Sequence, residues 1–109
     1  MASREELIAL AKHIADAMPE VTRNEWMRWV QIATRRGLEK AVRHAEQLSN
    51  DVTMRPAVKR ANQLITQAIR SHLSELKKLT PHDQQLALGY VAWHLAIQTL
   101  RGSWRESGE

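Results

Sequence analysis

The chain has 109 residues and a formal net charge of +4, with 43% hydrophobic and 26% charged residues. This length and composition predict a single globular domain, 1–109, and argue against a disordered chain. Cysteine is absent, which excludes disulfide frameworks, thiolate nucleophiles and thiolate zinc sites. No apolar run approaches the roughly 18–20 residues that a membrane span needs. The charged N-terminus has no signal-peptide pattern, so we expect a cytoplasmic protein without a membrane partner.

Three amphipathic helices are predicted in the first half of the chain. Ser3 and Glu6 have the spacing of a capping box at the start of the first helix, and Thr22 and Glu25 repeat it at the start of the second. Gly37 follows two arginines and separates the second helix from a third apolar stripe. At about 100° per residue, that stripe is rotated by roughly 100° from the preceding one. We therefore predict a sharp kink or a break at the glycine.

Two longer helices are predicted in the second half of the chain. The first covers about 54–79, and the second covers about 81–101 with Thr80 as its N-cap. From 86 to 100 the second of these is apolar nearly all round, which is typical of a central helix or of one that contacts a partner with its outer face. A glycine ends it, and a short polar tail, 102–109, follows. The predicted fold class is all-α, a compact bundle of four to five helices.

The positive charge is concentrated in the helix at 54–79. The segment 52–81 contains six cations and one acid, Glu75, whereas the rest of the chain is close to neutral. On a helical projection the cations share a sector of about 140° with neutral hydrogen-bonding residues, Thr66 among them, and with no carboxylate. Such a face suits a nucleic-acid backbone, although an ordinary solvated surface is the alternative. The predicted nucleic-acid-binding residues are Arg55, Lys59, Arg60, Gln63, Arg70, Lys77 and Lys78.

The second and third helices also carry cations, but these are mixed with acids. The charged residues that share this side are Arg28, Arg35, Arg36, Lys40, Arg43, Glu25, Glu39 and Glu46. Glu39 lies four residues after Arg35 and four before Arg43, which is the spacing of ion pairs on a helix surface. This side is therefore predicted to be an ordinary solvated surface.

Catalytic and metal-binding signatures are missing from the sequence. It contains no phosphate loop, dinucleotide fingerprint, nucleophile elbow or HExxH motif. His72 precedes Glu75, the reverse of the Glu-x-x-His order in di-metal bundles. His72 and His94 lie on apolar stretches and are predicted to be core residues with local hydrogen bonds. We therefore expect no enzyme activity, cofactor, metal or small-molecule substrate.

Two tryptophans are candidate anchors for a protein partner. Trp29 lies near the edge of the apolar stripe of the second helix, and Trp104 lies in the polar tail. Exposed tryptophans are common anchors of protein interfaces. Core packing is the alternative for Trp29, as it is for its neighbour Trp26.

The helix within roughly 79–100, with Leu88, Trp93, Ala96 and Leu100, resembles the closing helix of some small helical subunits of CRISPR effector complexes. The resemblance carries over no site residue. It implies a non-catalytic small subunit of a larger ribonucleoprotein used in antiviral defence. The first functional hypothesis is therefore a subunit that binds RNA or DNA backbone without sequence specificity, alongside other protein subunits. The alternative is a helical protein–protein interaction module, such as an adaptor or a phage- or plasmid-encoded inhibitor.

Overall fold

The computed structural model describes residues 2–107, and it describes the side chains of residues 2–98 and of Leu100. The described chain forms five helices, which are α1 (Arg4–Asp16), α2 (Arg23–Arg36), α3 (Leu38–Ser49), α4 (Pro56–Lys77) and α5 (Pro81–Ser107). The predicted all-α bundle of four to five helices is confirmed. Within the described residues, no helix combines the length and apolarity needed to cross a membrane.

The helix starts follow the local capping signals. Thr22 Oγ1 accepts a hydrogen bond from the Glu25 N–H at 3.2 Å, and Glu25 Oε1 accepts one from the Thr22 N–H at 2.9 Å, so the predicted capping box is complete. At α1 only half of the predicted capping box forms. Ser3 Oγ accepts a hydrogen bond from the backbone N–H of Glu6, but the Glu6 carboxylate accepts none from the backbone N–H of Ser3. Thr80 Oγ1 caps α5 by accepting from the backbone N–H of the third residue beyond it, at 3.1 Å.

Gly37 divides α2 from α3, so the predicted kink or break is a break. Its φ is +92°, a conformation that favours glycine because a Cβ would be strained there. Its N–H donates to the Ala33 carbonyl oxygen at 2.8 Å and its own carbonyl accepts from Ala41 at 3.1 Å, so this one residue both ends α2 and begins α3. The change of direction lets the two differently oriented apolar stripes face one core.

The boundaries of the two long helices differ from the predicted ones. α4 is shorter than 54–79, because Pro56 is its first residue and Lys78 its C-cap. α5 does not stop at Gly102 but continues to Ser107, so the predicted helix end is wrong. A helical glycine costs only about 1 kcal/mol relative to alanine, and no proline follows to stop the helix.

The core lies where the two tryptophans of α2 meet the other helices. α1 packs along α5, α3 packs along α4, and α2 contacts both α3 and α5. Trp26 and Trp29 are buried with ring centroids 5.1 Å apart. Trp26 Nε1 donates to the Leu88 carbonyl oxygen on α5, and Trp29 Nε1 donates to the Ala41 carbonyl oxygen on α3, each at 3.0 Å. These two bonds fix α2 between the halves of the bundle, which sets the outward direction of its charged side.

Candidate nucleic-acid interface

The predicted nucleic-acid-binding residues lie along the outer side of α4 and at its ends. The exposed members are Arg55, Arg60, Gln63, Arg70, Lys77 and Lys78. Lys59 is half-buried. Thr66, which the helical projection placed in the same sector, is only 8% exposed, and its Oγ1 donates to the Asn62 carbonyl oxygen at 2.8 Å. The exposed basic sector is therefore narrower than predicted, because the bundle buries α4 further round its circumference.

Neighbouring elements bring carboxylates to the α4 cations. The ion pairs are Arg60 with Glu20, Arg70 with Glu46, and Lys77 with Glu39. Glu20 lies in the connection between α1 and α2, and its Oε2 accepts a hydrogen bond from Arg60 Nε at 3.2 Å. The other two acids, Glu46 and Glu39, belong to α3. The α4 sector lacks acids along its own sequence, but three of its six cations are neutralised in the folded chain.

Hydrogen bonds and neighbouring cations lower the pKa of two carboxylates beside α4. A hydrogen bond from Lys77, together with its positive charge, lowers the pKa of Glu39 below its ordinary value of 4.5. Near the start of α4, hydrogen bonds from the Thr53 hydroxyl and N–H lower the pKa of Asp51, and the charge of Lys59 contributes in the same direction. Both carboxylates are therefore ionised at neutral pH and reduce the positive potential of the α4 side.

The same contacts remove the expected acidic partners from α2. Glu39 and Glu46 turn towards α4, and the Glu25 carboxylate accepts hydrogen bonds from Thr22. Three of the four exposed arginines of α2 lie on one face, and they are here called the α2 arginine cluster: Arg28, Arg35 and Arg36. Within the residues whose side chains are described, no member of this cluster forms an ion pair or a side-chain hydrogen bond. The i,i+4 spacing of Glu39 with Arg35 and Arg43 does not lead to ion pairs among the described residues, because Glu39 pairs with Lys77.

The α2 arginine cluster borders a surface hollow of about 340 Å³. Its lining consists of the cluster with Gln31, Ile32 and the half-buried His44 of α3. No carboxylate belongs to this lining. Positions 28, 31, 32, 35 and 36 share one face of α2, since they are spaced by three, four, seven and eight residues. The arrangement presents guanidinium donors and an amide around a concave surface, which is suited to an anion.

One sequence signal could have pointed towards the α2 arginine cluster. Glu25 forms a capping box with Thr22, so its carboxylate was already assigned to the helix start and not to Arg28. The i,i+4 spacing of Glu39 equally allowed pairs with Arg35 and Arg43. Its pairing with Lys77 depends on the packing of α3 against α4, for which the sequence contains no local signal.

The two tryptophan anchors have different outcomes. Trp29 is only 2% exposed and its Nε1 is hydrogen-bonded in the core, so its predicted role as an exposed anchor is wrong and the core alternative is confirmed. It is buried because the break at Gly37 folds α3 over the edge of the α2 stripe. The side chain of Trp104 lies outside the described side chains.

The histidines occupy separate environments. His72 is half-buried, and its Nδ1 donates to the Ala68 carbonyl oxygen at 2.8 Å, as expected for a histidine with a local bond. The His94 ring contacts Trp93 edge-on at 5.1 Å between centroids, but its buried Nε2 has no hydrogen-bond partner among the described residues. Over that same part of the chain, no three histidine or acidic side chains are placed to hold a metal ion.

Comparison with protein-family models, with curated proteins and with solved structures finds no match for this chain. Two basic surfaces of the described residues, the α2 arginine cluster and the α4 cations, are the candidates for binding an anionic partner.

Proposed function

We propose that the protein binds the phosphate backbone of nucleic acid without reading its sequence, and that the α2 arginine cluster is the main contact surface. The observation that supports this most directly is the distribution of ion pairs. Three exposed arginines on one face of α2 are unpaired among the described residues, whereas the acids of α3 neutralise cations of α4. Binding at the cluster therefore requires no existing ion pair to be broken.

The chemistry of arginine suits this target. A guanidinium presents five N–H donors in a planar fork that can bind two phosphate oxygens together, and it is less strongly hydrated than an ammonium group. From Arg28 to Arg36 the helix rises about 12 Å. Phosphates of one strand follow each other every 3.4 Å or so along a duplex axis, so the cluster is long enough for on the order of three phosphates. Gln31 adds a neutral donor to the same hollow.

The α4 cations have a secondary role in this proposal. Arg60, Arg70 and Lys77 must each exchange a carboxylate for a phosphate, whereas the α2 arginine cluster need not. Arg55 and Lys78 are exposed and form no ion pair among the described residues. They lie at opposite ends of α4, roughly 35 Å apart along its axis, so they do not form a compact site.

Two double variants with the same change of net charge test the assignment. Arg35→Gln/Arg36→Gln removes two charges from the α2 arginine cluster, and Arg70→Gln/Lys77→Gln removes two charges from α4. Binding of a fluorescent duplex is measured by anisotropy across a salt series. Three phosphate contacts predict a slope of about −3 in log K against log salt. We expect the α2 variant to lose about two units of this slope and the α4 variant to lose much less.

Thermal unfolding of both variants controls for folding, since all four positions are exposed. Equal losses from the two variants would contradict the placement at α2, and absence of binding at low salt would contradict the function. Polyglutamate of matched charge serves as a competitor. If it competed as strongly as an unlabelled oligonucleotide, the cluster would instead be assigned to an acidic protein surface.

Membership of a larger ribonucleoprotein, including a CRISPR effector complex, stays a prediction from the sequence resemblance. So does the alternative of an adaptor or inhibitor. Co-purification of the tagged chain from its native host, with and without nuclease treatment, would separate partners bound through nucleic acid from partners bound directly.

A further inference from the structure

The outer face of α5 is the main apolar surface among the described side chains. Four large hydrophobic residues are exposed in that part of the chain, and three of them lie on this helix, namely Leu86, Trp93 and Leu100, at 38%, 57% and 69% exposure. They are spaced by seven residues, which places them on one face two turns apart. A seven-residue apolar repeat is the pattern of a helix that packs along another helix.

The surface between these residues has the shape of a packing hole. Leu86, Gly89, Tyr90 and Trp93 line a hollow of about 510 Å³, whose α1 side is formed by Arg4 and Ile8. Residues at i, i+3, i+4 and i+7 are the four that surround one inserted side chain in knobs-into-holes packing. A Cβ built at Gly89 would meet no atom within 4 Å. The glycine therefore leaves an open floor, with room for a large side chain from outside.

We propose that the occupant is a second copy of this chain, whose α5 packs antiparallel on the first across a two-fold axis. The residues that carry this contact, here called the α5 seam, are Leu86, Gly89, Tyr90, Trp93, Ala96, Ile97 and Leu100. The side chain inserted into the Gly89 hole is Trp93 of the other copy, and the two-fold axis repeats the contact in reverse.

The spacing of the α5 seam makes this register self-consistent. The centre of the Gly89 hole lies about 3.5 residues before Trp93, midway along the four residues that form it. If Trp93 of one copy sits there, the reversed helix places its Leu86 about 3.5 residues beyond Trp93 of the other copy. That point is the centre of the next hole, formed by Trp93, Ala96, Ile97 and Leu100. One register therefore fills both holes in both copies.

The charge distribution favours a second copy over a charged partner. Residues 84–100 contain no Asp, Glu, Lys or Arg, so the two α5 segments themselves meet without like-charge repulsion, although each copy has a net charge of +4. Contact through α2 or α4 would instead bring cations of the two copies together. Arg4 contributes the charge that lies in the lining of the hollow.

The length of the α5 seam sets the expected strength. From Leu86 to Leu100 the helix rises about 21 Å, and a helix with its side chains is about 10 Å wide. The contact area that this length and width enclose is smaller than the roughly 800 Å² that each partner buries in a standard stable interface. We therefore expect a weak dimer, with a Kd in the micromolar range or above.

Sedimentation velocity across a concentration series tests for this dimer. We expect Trp93→Gln to weaken association at least tenfold. The matched control is Val52→Gln, because Val52 is also exposed, at 89%, but lies between α3 and α4. This control is expected to associate like the wild-type chain. A wild-type chain that stays fully monomeric at about 1 mM, where even a Kd of about 1 mM would place roughly half of the chains in the dimer, would overturn the proposal.

Gly89→Leu separates the packing hole from the stability of the monomer. The new side chain enters open space on α5, so the monomer should fold and, with a better helix former in place of glycine, unfold at a higher temperature. It also fills the hole that Trp93 of the other copy would enter. We expect a raised Tm together with weaker association. Unchanged association would overturn the assignment of this hole.

The direction of pairing is tested by disulfide cross-linking. Only introduced cysteines can react, because the chain has no cysteine of its own. In the proposed register Leu86 of one copy lies beside Ala96 of the other. A mixture of Leu86→Cys and Ala96→Cys chains should form the mixed disulfide under mild oxidation. Leu86→Cys alone should not link to itself, and its efficient self-linking would indicate parallel pairing and overturn the antiparallel register.

Discussion

α2 and α4 both present exposed cations, but their carboxylate neighbours differ. The segment of α4 has almost no acid in its own sequence, yet its Arg60, Arg70 and Lys77 form ion pairs with carboxylates of other elements. α2 has several acids near it in sequence, yet its arginine cluster is unpaired among the described residues. The sequence of one helix therefore shows how many charged residues it contains. Which of its cations are left without an ion pair depends on the helices that pack beside it.

α3 is the element that produces this difference. Its acids extend across the α3–α4 contact and not back along α2, because Gly37 turns α3 relative to α2. Trp29 fixes that turn through its hydrogen bond to Ala41 on α3. Changes at the turn, at the tryptophan and at the acids should therefore alter the contrast between the two basic surfaces by different amounts.

The largest expected effect follows from Trp29→Ala, because this side chain is buried and joins α2 to α3. Truncation of a buried tryptophan costs about 3–5 kcal/mol of unfolding free energy, which urea denaturation measures. Trp29→Phe keeps most of the packing and loses the indole N–H, so we expect a cost of about 1 kcal/mol for that bond plus a smaller packing loss. A similar cost for both variants would show that packing contributes little at this position.

The next largest effect on the free energy of unfolding is expected from alanine substitutions at Gly37 and Gly89, where an added Cβ would meet no neighbouring atom. Gly37→Ala should destabilise the fold by about 1–3 kcal/mol, because alanine is strained at φ +92°. Gly89→Ala, in the middle of α5, should instead stabilise it by about 0.5–1 kcal/mol. Chemical denaturation of both variants gives the two values. A Gly37→Ala variant as stable as the wild-type chain would show that the turn at Gly37 does not depend on the glycine conformation.

Removing the acids of α3 should reduce the contrast between α2 and α4. Glu39→Gln/Glu46→Gln frees Lys77 and Arg70 while leaving the α2 arginine cluster unchanged. Since exposed ion pairs are weak, we expect duplex binding to strengthen by no more than about tenfold at low salt.

The matched control for that variant is Glu5→Gln/Glu6→Gln on α1, which changes net charge equally but frees no paired cation among the described residues. We expect the control to strengthen binding less. An equal gain from both variants, measured by anisotropy, would mean that net charge alone governs the affinity.

The smallest effect is the pH dependence of the Glu39–Lys77 pair. The pKa of Glu39 is lowered in the folded chain from 4.5. The pair therefore contributes stability above pH 4.5, and the contribution is lost as the pH falls through the lower folded pKa. NMR titration should give a Glu39 midpoint below 4.5, and Lys77→Gln should return it towards 4.5. An identical midpoint in both proteins would contradict the pairing in solution.

Local signals determined the helical architecture in advance. The cap at Thr22, the cap at Thr80 and the break at Gly37 are confirmed because each depends on backbone groups within a few residues. The end of α5 is the exception, since Gly102 is a stop signal that helix propensity alone can override. The apolar periodicity also indicated the core side of each helix, but not how far round it would be covered.

Tertiary structure alone decided which residues of those helices are available to a partner. Trp29 is covered and Trp93 is exposed because of where α3 and α5 lie, although both belong to apolar stretches. Coulombic pairing depends on distances between side chains of different helices, and Lys77 and Glu39 are far apart in sequence. Composition determined that the chain is basic and helical. Packing decided that a cluster of arginines unpaired among the described residues lies on α2, because the energy of an ion pair depends on separation in space and not on separation along the chain.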